Sequence, residues 1–326
     1  MNPELVEKIT KLVFEKLQAK TDVLRAETAP EVDVKFWDHR TESKPHHEAE
    51  HDYKNKQSFT ETILQGEQLP IAEDAQVIEE ARQVIGIETP FDQEELENLI
   101  SKTPARIGIG RAGLRPKTHS WIKFRYDHAA AVDAVYGDVN PELLESLALF
   151  KVNTKVADKE VYVRRPDYGR KLSDEGKQLI IDKCKKEPTV QIIVSDGLSS
   201  KAVEGNLEDV YLSLNQSLQS LGLDVGTPFF IEKGRVAAMD EVGELLKPKV
   251  IILLIGERPG LVSAESLSAY LCYEPRIGTI EADRMVVSNI HKGGIPPVEA
   301  GAYIGTVIQK ILKYQASGVS LVQKEQ

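Results

Sequence analysis

Three short polar stretches hold most of the side chains in this sequence that could do chemistry: Ser195-Asp-Gly-Leu-Ser199, Lys233-Gly-Arg-Val236 and Gly256-Glu-Arg-Pro-Gly260. The last sets a carboxylate, Glu257, and a guanidinium, Arg258, directly behind the apolar run Val250–Ile255. Ser195 and Asp196 place a hydroxyl beside a carboxylate, and Ser288-Asn-Ile-His-Lys-Gly-Gly294 adds the imidazole of His291. Acyl transfer needs a nucleophile, a base and an orienting group, and no elbow motif surrounds Ser195. His119, His128 and His291 stand in no metal-ligand spacing, so His291 reads as a loop histidine ahead of a general base. Lys201 and Lys292 carry the amine a Schiff base requires, yet a solvated lysine is the commoner reading. These residues make a ligand rim without a complete catalytic set.

For the three loops to meet, each must leave a strand of one sheet. Val190–Val194, Thr227–Ile231 and Val250–Ile255 read as strands, the last an unbroken apolar run, and helical patterns at Ser173–Lys186, Leu207–Leu221 and Glu241–Leu246 alternate with them. The alternation predicts an α/β fold for residues 171–326: a mostly parallel, doubly wound, Rossmann-like sheet with helices on both faces. Val250–Ile255 reads as its central strand, buried on both sides. Ligands of such sheets sit beyond the carboxyl ends of the strands, where Asp196, Val236 and Glu257 are expected to converge, with 288–294 as a fourth loop. Ser263–Tyr273 reads as a helix and Met285–Val287 as a short strand. Pro297–Tyr314 reads as a closing helix that buries Ile304, Val307, Ile308 and Ile311, with Gly318 beyond its end.

Residues 71–170 read as a mainly helical region. Helices are expected at Ala72–Ile85, at Asp92–Ser101 with Pro104 as a stop, and at Trp121–Val135 with Ile122, Phe124, Ala129, Val132 and Val135 on its apolar side. Asn140-Pro141-Glu142 opens another that runs through Leu143, Leu144, Leu147 and Phe150. Val161-Tyr-Val163 reads as a short strand. Arg164-Arg165-Pro-Asp-Tyr-Gly-Arg170 has two open readings, a grip for phosphate or an acidic partner and an exposed loop with local salt bridges. Gly108-Ile-Gly-Arg-Ala-Gly113 matches a dinucleotide fingerprint, with Asp133 twenty residues on. Its only preceding strand would be Ala105–Ile109, however, and Pro116 inside the required helix would cost about 3 kcal/mol. A glycine-rich loop packed against a neighbour fits better.

Charge is uneven along the 326 residues. The whole chain carries −10, while residues 1–100 hold 23 acidic and 11 basic side chains, so the remainder is slightly basic. Nothing here forms a nucleic-acid footprint. No run approaches the roughly 18 apolar residues of a membrane span, and no secretory signal is expected. Two cysteines cannot frame a small disulfide fold, which points to a reducing cytoplasm. Asn2-Pro3-Glu4 followed by Leu5, Ile9, Leu12, Val13 and Leu17 predicts an amphipathic helix over residues 1–20. Residues 21–70 read as a flexible polar linker. Its His39, His46, His47 and His51 read as solvated side chains and not as a metal site. A helix on such a tether needs a surface outside its own domain.

Seven ordered motifs carry a resemblance. Arg111-Ala-Gly with Arg115-Pro, Arg165-Pro-Asp-Tyr-Gly-Arg170, Ser195-Asp-Gly-Leu-Ser199, Val225-Gly-Thr-Pro-Phe-Phe230, Gly256-Glu-Arg-Pro-Gly260, Glu281-Ala-Asp-Arg284, and Ser288-Asn-Ile-His through Pro296-Pro-Val-Glu-Ala300 closely resemble the small (light) subunit of ethanolamine ammonia-lyase over about residues 95–318. The resemblance implies an adenosylcobalamin-dependent radical lyase that converts ethanolamine to acetaldehyde and ammonia. The substrate pocket would lie in a large barrel subunit, and this chain would complete the corrin site with no catalytic residue of its own. It implies corrin contacts at Val236, Glu257 and Val286, the last standing where some relatives have cysteine. It also implies a cytoplasmic location inside a bacterial microcompartment, with the N-terminal helix as the tag for its shell or, in a rival reading, as a helix that packs on the large subunit. The chain lacks the Asp-x-His-x-x-Gly pattern that supplies a histidine to cobalt in another cobalamin class, as expected where the cofactor keeps its own lower ligand. Two other readings are a stand-alone nucleotide-dependent oxidoreductase built on Gly108–Gly113 and a microcompartment scaffold protein.

Overall fold

The computed structural model describes residues 85–103 and 105–326. The helix expected at 1–20, the linker at 21–70 with its four histidines, Pro104, and all but the last residue of Ala72–Ile85 lie outside the described residues.

The described chain starts with α1 (Gln93–Ser101), where the Asp92 side chain accepts from the Glu95 N–H at 2.9 Å and caps the helix. A small antiparallel ribbon follows, β1 (Arg111–Ala112) and β2 (Arg115–Pro116), then the 19-residue α2 (Thr118–Tyr136). The glycine stretch is therefore a loop feeding a ribbon. Gly108 accepts from the Gly86 N–H at 2.7 Å, and Pro116 lies in β2, not in a phosphate-binding helix. The apolar side expected of α2 is not buried: Ala134 is its one buried residue, while Trp121, Ile122, Tyr126, Val132 and Tyr136 are exposed.

Next come α3 (Pro141–Ser146), β3 (Phe150–Asn153), α4 (Lys159–Arg164) and α5 (Asp174–Lys183). The helix opened by Asn140 ends sooner than its apolar spacing suggests. Ala148 takes a left-handed backbone (φ 54), and Phe150 begins a strand instead. Val161-Tyr-Val163 is helical, not extended. The Asp158 carboxylate caps the Val161 N–H at 2.8 Å, and the turn drops Tyr162 into the core while Val163 stays exposed.

The remaining elements are β4 (Val190–Ser195), α6 (Ser200–Ser220), β5 (Phe229–Glu232), α7 (Ala238–Leu246), β6 (Val250–Gly256), β7 (Leu267–Tyr273), a 3-10 turn at Glu281–Asp283, β8 (Arg284–Ile290), α8 (Pro297–Tyr314) and α9 (Gly318–Glu325). Strands pair in the order β3-β5-β4-β6-β7-β8. The first four run parallel, β7 runs antiparallel to β6, and β8 antiparallel to β7, so the mixed α/β sheet is mostly parallel. One face packs on Leu207, Val210 and Leu214 of α6 and on Ile304, Val307, Ile308 and Ile311 of α8. The other packs on Ile180 of α5 and on Met239, Val242 and Leu246 of α7. Burial on both sides explains why β6 reads as an unbroken apolar run and β4 as one broken by Gln191, whose Nε2 donates to Thr227 O at 2.8 Å.

Ser263–Tyr273 is the largest correction. From Leu267 onward it is strand β7, whose residues partner β6 one for one from Leu267 against Gly256 to Tyr273 against Val250. Leu267, Ala269 and Leu271 point into one core cluster and Cys272 into the other, the period of two that a strand imposes. α9 was not expected either. Gly318 lies beyond the end of α8, as expected, and opens α9 with φ 58.

Leu253 sits in β6 with almost no exposure, packed in the α7-side cluster. Leu253→Ala should cost about 2–5 kcal/mol in urea unfolding of the chain. Cys184 and Cys272 are both buried, and burial pushes each thiol up to about 11. A thiol-reactive dye at pH 8 should label neither in the native chain and both after denaturation; rapid native labelling would contradict this burial.

Candidate functional site at the carboxyl edge of the sheet

The edge is built by two glycines that occupy each other's space. Gly197, at φ 54, follows β4, and a β-carbon there would run into the Gly256 carbonyl oxygen. A β-carbon on Gly256, at the end of β6, would strike the Ser199 and Asp196 carbonyls. With both absent, the Leu198 N–H reaches the Gly256 oxygen at 2.9 Å and the two loops lock together. Beyond the lock, the Glu257 N–H donates to Ser266 O at 2.9 Å. The Ser199 hydroxyl donates to Ala264 O at 2.6 Å, Asn206 to Glu265 O at 2.9 Å and Arg106 to Leu261 O at 2.9 Å. Glu257 thus starts a loop held along its length.

Ser195 and Asp196 serve this scaffold and are not a nucleophile and base. Ser195 is buried, and its oxygen accepts from the Gly234 N–H at 3.1 Å. Asp196 is 2% exposed; its Oδ1 takes the Lys233 N–H at 2.6 Å and its Oδ2 the Lys159 ammonium at 2.8 Å. Burial raises the Asp196 carboxyl above its ordinary value, and Lys159 opposes that shift. The pair joins the β4 and β5 loops to α4, and it turns Asp196 away from the site expected to hold it.

Val236 and Glu257 do come together. They line one shallow depression of about 70 Å³ with Tyr162, Gly197, Leu198, Arg235, Ile255 and Gly256. Beside it, the Tyr270 hydroxyl donates to Glu257 Oε1 at 2.8 Å. Burial, and then this carboxylate, push the Tyr270 phenol above its ordinary value, which keeps it a donor at neutral pH. Val286 is not in the depression. It lies on β8 directly opposite Tyr270 and is 47% exposed. Ser288, two residues on, is exposed too, so β8 presents an open surface there. Arg284 anchors this strand by donating twice to Asp240 of α7, at 2.8 Å each.

The loop at 288–294 lies at the same edge, because β8 reverses direction twice relative to β6 and ends beside Leu267, itself beside Gly256. His291 is tied within it. Nδ1 accepts the Gly293 N–H at 3.1 Å, which places the proton on Nε2 for donation to Asn289 Oδ1 at 2.8 Å. The arginine stretch follows its local reading at Arg165, which pairs with Asp167 at 2.8 Å and stacks over Tyr168. Lys201 pairs with Glu204 at 2.7 Å. No group of three or more His, Cys, Asp or Glu side chains among the described residues is placed to hold a metal ion.

Lys159, Tyr162, Arg235 and Tyr270 are site-building residues that sequence reasoning did not single out. Arg235 was within reach, lying between Gly234 and Val236 of a recognised loop. Tyr270 was hidden by the helical reading of its segment.

Comparison with known proteins follows the same motifs. Residues 93–322 match the family model for the ethanolamine ammonia-lyase light chain. The ethanolamine ammonia-lyase small subunit of Clostridium perfringens is 50% identical over 235 residues, 72% of this chain and 80% of the relative. That of Fusobacterium nucleatum is 47% identical over 243 residues, 74% and 82% of the two chains. That of Clostridium acetobutylicum is 49% identical over 229 residues, 70% and 95%.

Removing Lys159 would leave the Asp196 carboxylate buried without its charge partner, so Lys159→Met should cost about 3–5 kcal/mol in denaturant unfolding, largely recovered by Lys159→Met with Asp196→Asn. A carboxyl whose folded pKa is raised contributes stability that is complete below the unfolded value of about 3.9 and is lost as pH rises through the folded value. The single variant should therefore be destabilised more at pH 7 than at pH 4, and the double variant should not show that difference.

Proposed function

The chain belongs to the ethanolamine ammonia-lyase light-chain family, and from that premise we propose that it is the small subunit of an adenosylcobalamin-dependent ethanolamine ammonia-lyase. In this reading it works with a large barrel subunit that holds ethanolamine and releases acetaldehyde and ammonia, and it completes the cobalamin site at their interface. The observation that carries the reading is the meeting of Val236 and Glu257 in one depression at the carboxyl edge of the sheet.

The residues there fit a corrin. Its rim bears carboxamides, which need both acceptors and donors, and its ring edges are apolar. Glu257 is a fixed acceptor, held by Tyr270 through one oxygen and free in geometry to use the other. Val236 supplies an apolar wall. Val286 supplies apolar surface on the open part of β8, where a side chain without a thiol can still pack. The Arg235 Nε beside them is buried without a partner, an orphaned donor of the kind a bound ligand satisfies. When bound, adenosylcobalamin supplies the radical that the rearrangement requires. This chain's own residues orient the corrin and close one side of it. The engagement of Ser195, Asp196 and His291 in structural hydrogen bonds supports a supporting role over independent catalysis.

The oxidoreductase alternative loses its motif, because Gly108–Gly113 feeds a ribbon. The microcompartment location, and shell binding through residues 1–20, rest on the family resemblance and on the helical pattern there. Among the described residues no helix is long and apolar enough to cross a membrane.

Copurification with a coexpressed large subunit, and acetaldehyde release only when both chains and adenosylcobalamin are present, is the expected result; turnover by this chain alone with a nicotinamide would overturn it. Glu257→Ala in that complex should weaken cobalamin binding about tenfold or more, the scale of a hydrogen bond to a charged group. Unchanged affinity would favour the scaffold reading. Deletion of residues 1–20 should leave activity of the purified complex intact and release it from the microcompartment, as followed by cell fractionation.

A further inference from the structure

We propose that Arg235 is a second polar anchor for the cofactor, donating to a carboxamide oxygen on the corrin rim while Glu257 accepts from carboxamide N–H groups. This rests on the cobalamin reading of the site. Arg235 lines the same depression as Val236 and Glu257. Its guanidinium carbon lies 4.3 Å from the centre of the Tyr162 ring, a cation–π contact against a fully buried tyrosine. The Tyr162 hydroxyl donates to Gly234 O at 2.8 Å, so the ring under Arg235 is fastened to the residue before it.

The arginine loop completes the cradle. Arg235 N–H donates to Gly169 O at 2.8 Å, and a β-carbon on Gly169 would come within 2.9 Å of Arg235 Cγ and 3.1 Å of the Tyr162 ring. Gly169 of the Arg165–Arg170 motif is thus small so that the Arg235 stem can lie flat. Within this cradle Nη2 donates to Tyr162 O at 3.3 Å, whereas Nε is buried and unpaired. A donor left unpaired in a prepared setting costs stability unless a ligand meets it. Glu257 lines the same depression and accepts where Arg235 donates, so the two side chains offer the complementary halves that a primary carboxamide reads. A cobalamin phosphate would use the same donor chemistry.

The test measures equilibrium binding of hydroxocobalamin and of dicyanocobinamide, which lacks the nucleotide phosphate, to the complex with the large subunit. Complexes carry Arg235→Gln, Arg235→Lys or Glu257→Ala, with assembly checked by size exclusion. Arg235→Gln should weaken both ligands at least tenfold, and Arg235→Lys should recover part of the loss. Loss for hydroxocobalamin alone would overturn the carboxamide assignment in favour of phosphate. Affinity within twofold of wild type in assembled Arg235→Gln, with Glu257→Ala weakened, would overturn the role of Arg235 alone. Unchanged affinity in both would overturn the cobalamin reading beneath it. If Arg235→Gln fails to assemble, the Lys variant decides, since it keeps the stem and charge but not the Nε donor: it should still bind at least threefold more weakly, and wild-type affinity would refute the proposal.

Discussion

Every residue of β6 is buried, so its backbone amides and carbonyls cannot turn to water and must be met by neighbouring strands. The rest of the structure follows from that constraint. β4 meets one edge in parallel across six residue pairs, and β7 meets the other in antiparallel across seven. The parallel neighbour brings the Ser195–Ser199 loop to the end of β6, where Gly197 and Gly256 interlock. The antiparallel neighbour sets Tyr270 within reach of Glu257. One strand's need for hydrogen bonds therefore builds both walls of the candidate site.

A second consequence concerns charge. The crevice between the β4 and β5 loops is where an open α/β sheet is expected to bind ligand, because helices leave adjacent strands toward opposite faces there. Here Asp196 is held by an ion pair with Lys159 and by the Lys233 N–H, and it lines a separate cavity of about 460 Å³ with Leu149, Phe230 and Glu232. Val236 and Glu257 line a different depression, toward β6, and there one acceptor, Glu257, shares the lining with one donor, Arg235.

Much of this was legible in the residues. The apolar run at 250–255 and the largely apolar 190–194 marked the two buried strands, since burial on both faces disfavours polar side chains; Gln191, the exception, is fully buried and donates to Thr227 O at 2.8 Å. Glycine between polar residues marked the loops that touch, and the ordered motifs identified the family. The convergence of Val236 with Glu257 was expected from the rule that loops at the carboxyl ends of such strands share one edge, although Asp196, expected with them, does not join. Errors fell where a short pattern had to choose between helix and strand. Val161-Tyr-Val163 looks extended, yet Asp158 caps it into a turn; the apolar spacing of α2 looks core-facing, yet that side stands exposed.

What the sequence determined by itself was local: which segments are apolar enough to be buried, which positions tolerate only glycine, and which motifs place the chain in its family. The tertiary structure decided which side chains meet. Tyr270 reaches Glu257 because β7 pairs in register with β6, Asp196 turns from the site because Lys159 arrives from α4, and Arg235 keeps an orphaned donor because Tyr162 and Gly169 hold its stem. Each contact joins residues whose distance along the chain is closed only by packing, and hydrophobic periodicity records the depth of a side chain without recording its neighbour.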